Sequence, residues 1–175
     1  AVLFGDRPPT GRLPVTIYDE LFVNRRNITD MDLRSNGGLT YIHYQPEPIY
    51  PFGFGLAYTT WSMTVGSEDL NMRTTTRVLA DDYAAYYSPS AAGAAATYVP
   101  AHTVRVSVVN TGARASAVVV QVFAKLESSL PAGALAAPQR QLVGFARSET
   151  LAVGSTRDLI VALTPLALCN VDADG

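Results

Sequence analysis

Cysteine is nearly missing from this chain, in which Cys169 stands alone. One cysteine cannot close an internal disulfide, and His43 and His102 are too few to complete a metal-type Cys or His spacing. Cys169 is read as a small hydrophobe. Charge is scarce as well: Lys, Arg, Asp and Glu make up 16% of the 175 residues, with 13 basic, 15 acidic and a net charge of -2. No basic stretch is long enough to track a phosphate backbone, which excludes nucleic acid as an expected partner. Long apolar runs are missing too. The longest blocks are strand-sized, such as Ala117 to Ala124, whereas a bilayer needs roughly 18 to 20 apolar residues, so no membrane partner is expected. The start, Ala1 to Pro14, has no basic region followed by an apolar run and does not read as a signal peptide. It also lacks Met, and the expectation is a chain that begins inside a longer protein. No cofactor-binding pattern is present: Gly53-x-Gly55 is not followed by a helix pattern and is no phosphate cradle.

What the chain does have is apolar content, at 48%, enough for a packed core. Residues 1–58 are punctuated by Pro8-Pro9, Gly37-Gly38, Pro46, Pro48 and Pro51-Phe52-Gly53-Phe54-Gly55, which break helices and favour turns. Only two short strand candidates fit between them, Leu13 to Tyr18 and Leu39 to Tyr44. Such a stretch cannot build a core of its own and must rest on something else. From Thr59 onward the pattern changes to alternation. Thr60 to Val65, Thr103 to Val109, Ala117 to Ala124, Gln141 to Ala146 and Thr156 to Leu163 each read as strands, separated by turn signals such as Asn110-Thr111-Gly112 and Gly154-Ser155. The period of two predicts Val104, Val106 and Val108 on one face and Arg105 and Ser107 on the other. Weaker strands fall at Arg73 to Leu79 and Tyr83 to Tyr87, and loops at Ser88 to Thr97 and Glu127 to Pro138. The expected fold is mainly β, a sandwich.

Particular segments then resemble a known family. Gly11-Arg12-Leu13-Pro14-Val15-Thr16 is similar to the GRLPVT segment near the end of the catalytic half of glycoside hydrolase family three. Thr29-Asp30-Met31-Asp32-Leu33-Arg34 resembles a segment of that family's β-xylosidase branch. Tyr50-Pro51-Phe52-Gly53-Phe54-Gly55-Leu56-Ala57-Tyr58-Thr59 is similar to its hallmark YPFGYGLSYT. Weaker cues follow in order at Val109 to Gly112, Pro138 to Phe145 and Ala152 to Ser155. The resemblance implies that residues 1–58 are the C-terminal tail of an α/β domain. It implies that residues 59–175 are a fibronectin type III-like (immunoglobulin-like) domain lacking its last strand. One departure stands out: Leu39 and Ile42 occupy positions that are usually basic in the family, and neither can form the bidentate ion pair of an arginine.

The family's catalytic pair is an aspartate nucleophile and a glutamate acid/base, both upstream of the GRLPVT-like segment. The resemblance therefore implies no catalytic residue in this chain. Retaining hydrolysis needs two carboxyls about 5 to 5.5 Å apart around a sugar-sized pocket. The close acidic pairs here, Asp30/Asp32, Asp81/Asp82 and Asp172/Asp174, lie in turn-like sequence, where Asp routinely caps and turns the chain. The aromatic run Tyr41 to Tyr58 is read as an interface more than a sugar platform, with Tyr50, Pro51, Phe52, Gly53, Phe54, Gly55, Leu56 and Tyr58 as the domain-interface motif. His43 and His102 lack the partners a triad requires. Asn27-Ile28-Thr29 is a glycosylation sequon. The expected partners are upstream catalytic domains, with an oligosaccharide met only through them, in a secreted, extracellular or lysosome/vacuole-like location. A rival reading is a freestanding carbohydrate-binding or adhesion module. A catalytic barrel in the upstream reading frame separates the two.

Overall fold

The computed structural model describes residues 1–66, 102–125 and 138–163. The expectations for Arg73 to Leu79, Tyr83 to Tyr87, Ser88 to Thr97, nearly all of Glu127 to Pro138, Cys169 and the last strand lie outside the described residues.

The described chain is mainly β. After two four-residue helical turns, α1 (Phe22–Arg25) and α2 (Thr40–His43), come the strands β1 (Trp61–Val65), β2 (His102–Asn110), β3 (Val119–Ala124), β4 (Gln141–Arg147) and β5 (Thr156–Leu163). They form a three-stranded sheet ordered β1-β2-β5 and a two-stranded sheet β3-β4. Every pairing is antiparallel. β-Branched residues alternating with polar ones suit a surface packed on one side only. In β2, Val104, Val106 and Val108 are buried, while Arg105 is exposed and Ser107 half-buried. Register carries the pattern across the ladder: Val104 pairs with Val161 and Val106 with Leu159. The resulting core joins these to Val118 and Val120 beside and on β3, Val143 on β4 and Leu163 on β5. Val108 is fully enclosed, at 0% exposure.

The small sheet is covered on its other side by residues 1–58. Odd positions of β3 point away from the core, and each meets that segment. The Val119 carbonyl accepts from Arg12 at 3.3 Å. Gln121 lies against Gly53, and Phe123 meets the ring of Phe52 edge-on at 6.3 Å. The irregular segment thus forms a third layer, and its own buried packing is a small aromatic cluster of Tyr18, Phe22 and Tyr44.

Both early strand expectations need correction. Leu39 to Tyr44 is not extended; it contains α2. Gly37 and Gly38 take positive φ of 88° and 83°, and Thr40 follows at 58°, so the chain reverses before any ladder can form. The turn is closed by Tyr44 N–H on the Thr40 carbonyl at 2.9 Å, and the Tyr18 hydroxyl accepts from Thr40 N–H at 2.8 Å. Leu13 to Tyr18 is extended only in fragments. Leu13 exchanges bonds with Gly53 and Phe54, and Ile17 with Ile49 and Tyr50, at 2.8 to 3.3 Å. Pro14 and Pro51 remove the donors a continuous ladder would need.

Candidate functional site

The most concentrated chemistry lies in an aromatic seam between the irregular segment and the small sheet. Tyr41 stacks on Phe52 with ring centres 4.1 Å apart and meets Phe123 at 6.1 Å. The Arg140 guanidinium also lies over Phe123, 5.3 Å from the ring centre and within range of a cation–π attraction. Tyr50 and Phe54 lie together at 4.9 Å. Hydrogen bonds fix the depth of the seam: the Tyr41 hydroxyl accepts from Leu142 N–H at 3.2 Å and the Ile42 carbonyl from Gln139 N–H at 2.8 Å. Arg12 anchors the far end through Val119, and Arg147 donates to the Thr10 hydroxyl at 3.0 Å.

The motif residues divide by environment. Pro51, Phe52, Gly53, Phe54 and Gly55 are half-buried, whereas Tyr50, Leu56 and Tyr58 remain exposed. Gly53 has φ of 81° and lies so close to the Gln121 amide that a side chain would overlap it. The Tyr58 hydroxyl donates to the Val2 carbonyl at 2.6 Å, and Arg114 lies over its ring at 5.9 Å. Sequence reading missed Phe123, Gln121 and Arg140 as members of this seam. The available signal was Phe123 itself, an aromatic on the outward phase of a strand whose core-facing positions Val120 and Val122 are valine.

Asp19, Asp30 and Asp32 are engaged in structure. Asp30 Oδ1 accepts from Asp32 N–H at 3.0 Å, and Asp32 Oδ1 from Arg34 N–H at 3.0 Å, so each closes its own turn. The Ser35 hydroxyl binds Asp30 Oδ2, and Asn36 adds a bond at 3.1 Å. The Ser35 hydroxyl and the Asp32 N–H hold the Asp30 carboxyl below its ordinary value. At Asp19 burial pushes the carboxyl up, while the Arg25 guanidinium, bonded at 3.1 and 2.9 Å, and the Tyr44 hydroxyl together push it down, and the net direction is down. A general acid needs the opposite shift. Asp81, Asp82, Asp172 and Asp174 lie outside the described residues.

Burial, then the nearby Arg34 charge, lowers the pKa of His43 and favours the neutral imidazole. Asn27 is exposed, and its Oδ1 accepts from Thr29 N–H at 3.1 Å. Among the described residues no group of three His, Cys, Asp or Glu could hold a metal ion. Among the same residues no helix is long and apolar enough to cross a membrane.

No family model matches the chain. It is 34% identical over 177 residues to an exo-1,4-β-xylosidase of Emericella nidulans, a match covering 99% of this chain and 21% of the relative. It is 32% identical over 182 residues to an exo-1,4-β-xylosidase of Aspergillus niger, again 99% of this chain and 21% of the relative. Among solved structures, a glycoside hydrolase family three exo-β-xylosidase superposes with a TM-score of 0.72 at 26% identity, over 98% of this chain and 22% of that one. The fold alone is shared with a β-D-glucoside glucohydrolase from Trichoderma reesei, at a TM-score of 0.68 and 24% identity, over 99% of this chain and 23% of that one. The likeness thus falls on one class: the mainly β, C-terminal region of glycoside hydrolases. Along nearly its whole length the chain is similar to glycoside hydrolase family three enzymes, and it spans about a fifth of the length of the curated relatives it matches.

Proposed function

We propose that the chain is the non-catalytic C-terminal portion of a secreted glycoside hydrolase, of β-xylosidase or β-glucosidase type. That parent cleaves O-glycosidic bonds of β-linked sugars with retention. The portion scaffolds the catalytic domains and touches an oligosaccharide only through them. The observation that carries this reading is the match to exo-1,4-β-xylosidases along 99% of this chain and 21% of the relative. The chemistry supports it: the acidic residues described above cap turns or pair with arginine, and none is drawn into an acid-and-nucleophile pair.

In the same proposal, residues 1–58 are the tail of an α/β domain and residues 59–175 a fibronectin type III-like domain. The sheet order supports the second assignment. An immunoglobulin-like sandwich places its A, B and E strands together and opposes them with the sheet that starts at C, and β1-β2-β5 against β3-β4 follows that plan.

The test is the natural reading frame. A catalytic barrel with an aspartate nucleophile upstream of Ala1, in a protein that releases xylose or glucose, supports the proposal. A frame that opens near Ala1 makes the chain a freestanding binding module and overturns it.

A further inference from the structure

Between α1 and Leu39 the chain turns apolar side chains into solvent. Ile28 is 95% exposed and Met31 85%. Val23 and Leu33 are exposed as well, and together with Phe22 these side chains line one open concavity. The backbone beneath them is held firmly. The Arg26 side chain, only 5% exposed, donates to the carbonyls of Asp30 at 2.8 Å, Asp32 at 2.6 Å and Ser35 at 3.0 Å. Three consecutive turns, at Asn27, Asp30 and Asp32, are closed by their own side chains. A loop this well tied, with its aliphatic side chains outward, has a surface shaped to be covered. Its lining is aliphatic except for Phe22, whose ring already stacks on Tyr18 at 4.1 Å.

We infer that this face, centred on Ile28 and Met31, docks onto the polypeptide of the same longer chain that lies outside the matched fifth. The inference rests on the function proposed above. Its occupant follows from length: the relatives carry 79% of their sequence beyond the match, by subtraction of 21% from the whole, while 99% of this chain is already inside it. The occupant is therefore an apolar patch of that remaining part. Asn27 lines the same concavity. A glycan there would hold the two surfaces apart, so Asn27 carries none in the folded longer protein despite its sequon.

The experiment takes the longer protein, expressed in a eukaryotic secretory host, beside the 175-residue chain, each with and without the double change Ile28→Asp, Met31→Asp. The expected result is a melting temperature lowered by several degrees in the longer protein and unchanged in the chain alone. Treatment of the longer protein with a peptide N-glycosidase leaves Asn27 as unmodified asparagine by mass spectrometry. An equal loss in both proteins would make the face internal to this chain and overturn the inference. No loss in either, or a glycan on Asn27 of the folded longer protein, would overturn it too. So would a dimer of the chain that the double change dissolves, since the occupant is then a second copy. Each of these leaves the proposed function standing. A reading frame with no hydrolase segment upstream overturns both together.

Discussion

Asn110 closes β2 with its side chain wholly enclosed, at 0% exposure. Its Oδ1 accepts from the Thr59 hydroxyl and from Gly112 N–H at 3.2 Å, and its Nδ2 donates to the carbonyls of Arg114 at 2.8 Å and Leu151 at 3.1 Å. One amide therefore ties the approach to β1, the end of β2 and the approach to β5. Asn110→Ala strands these partners without water, and the cost of unsatisfied buried groups sets the loss at about 3 kcal/mol. A lowered urea midpoint with unchanged slope checks it. From sequence Asn110 is legible only as a turn former; its role as a buried knot depends on strands brought together from far apart in the chain. Gly38 is a second such residue. Its φ of 83° and its contact with the His43 carbonyl leave no room for a Cβ. Gly38→Ala should cost about 2 kcal/mol or more, whereas Gly11→Ala, with nothing within 4 Å of the new atom, should be neutral in the same melt. Asp30 predicts a pH effect of fixed sign. Its folded pKa is lowered from 3.8 by the Ser35 hydroxyl and the Asp32 N–H. Its support for the loop is therefore present above the unfolded value and is lost as pH falls through the folded one. Proteolysis between residues 26 and 36 should rise below that value and not between pH 5 and 7.

At the scale of the element, the strands differ in how openly they announce themselves. β5 runs from Thr156 to Leu163, the span the alternation predicts, because Leu159, Val161 and Leu163 face one core and their neighbours face solvent. β3 is harder to read, since both of its faces are covered: valines meet the core, and Phe123 meets the aromatic seam. Leu39 to Tyr44 misleads in the other direction. Its β-branched and aromatic residues favour extension, but the glycine pair before it dictates a turn. β4 carries a glycine where valine would seem natural, and packing explains it. A Cβ on Gly144 would lie 2.6 Å from Val161 Cγ1 and 3.1 Å from Leu163 Cδ2, both in the sealed core. Gly144 is what lets the two sheets approach. Gly144→Val should cost about 1–3 kcal/mol through overpacking. Val161→Ala opens space at that point, so the double variant should be less unstable than the sum of the singles. A double-mutant cycle by chemical denaturation measures the coupling, and strict additivity would refute the close-approach account.

For the whole molecule, the layered arrangement decides what the chain can do alone. Glycoside cleavage with retention requires an acid and a nucleophile about 5 to 5.5 Å apart on either side of one bond. The acid must sit where burial raises its pKa. Here Asp19 is drawn down by Arg25, and Asp30 by the Ser35 hydroxyl and the Asp32 N–H. Asp32 spends an oxygen on the backbone of its own turn. Of the rings in the Tyr41 to Tyr58 run, Tyr41 and Phe52 are turned into the seam, where Phe52 lies against Tyr41 and Phe123. The sequence motifs reveal the kinship, but not the fate of these rings, because the partner strand lies some seventy residues further along the chain from Phe52 to Phe123. The expected outcome is that the purified 175-residue chain releases no chromophore from β-xyloside or β-glucoside substrates at any pH. A longer protein carrying upstream catalytic domains should do so with retention. Turnover by the chain that disappears on Asp30→Asn or Asp32→Asn would overturn the assignment of those carboxylates to structure. Turnover insensitive to every acidic substitution would identify a contaminating hydrolase. The two results are separable because a contaminant cannot respond to a change in this chain.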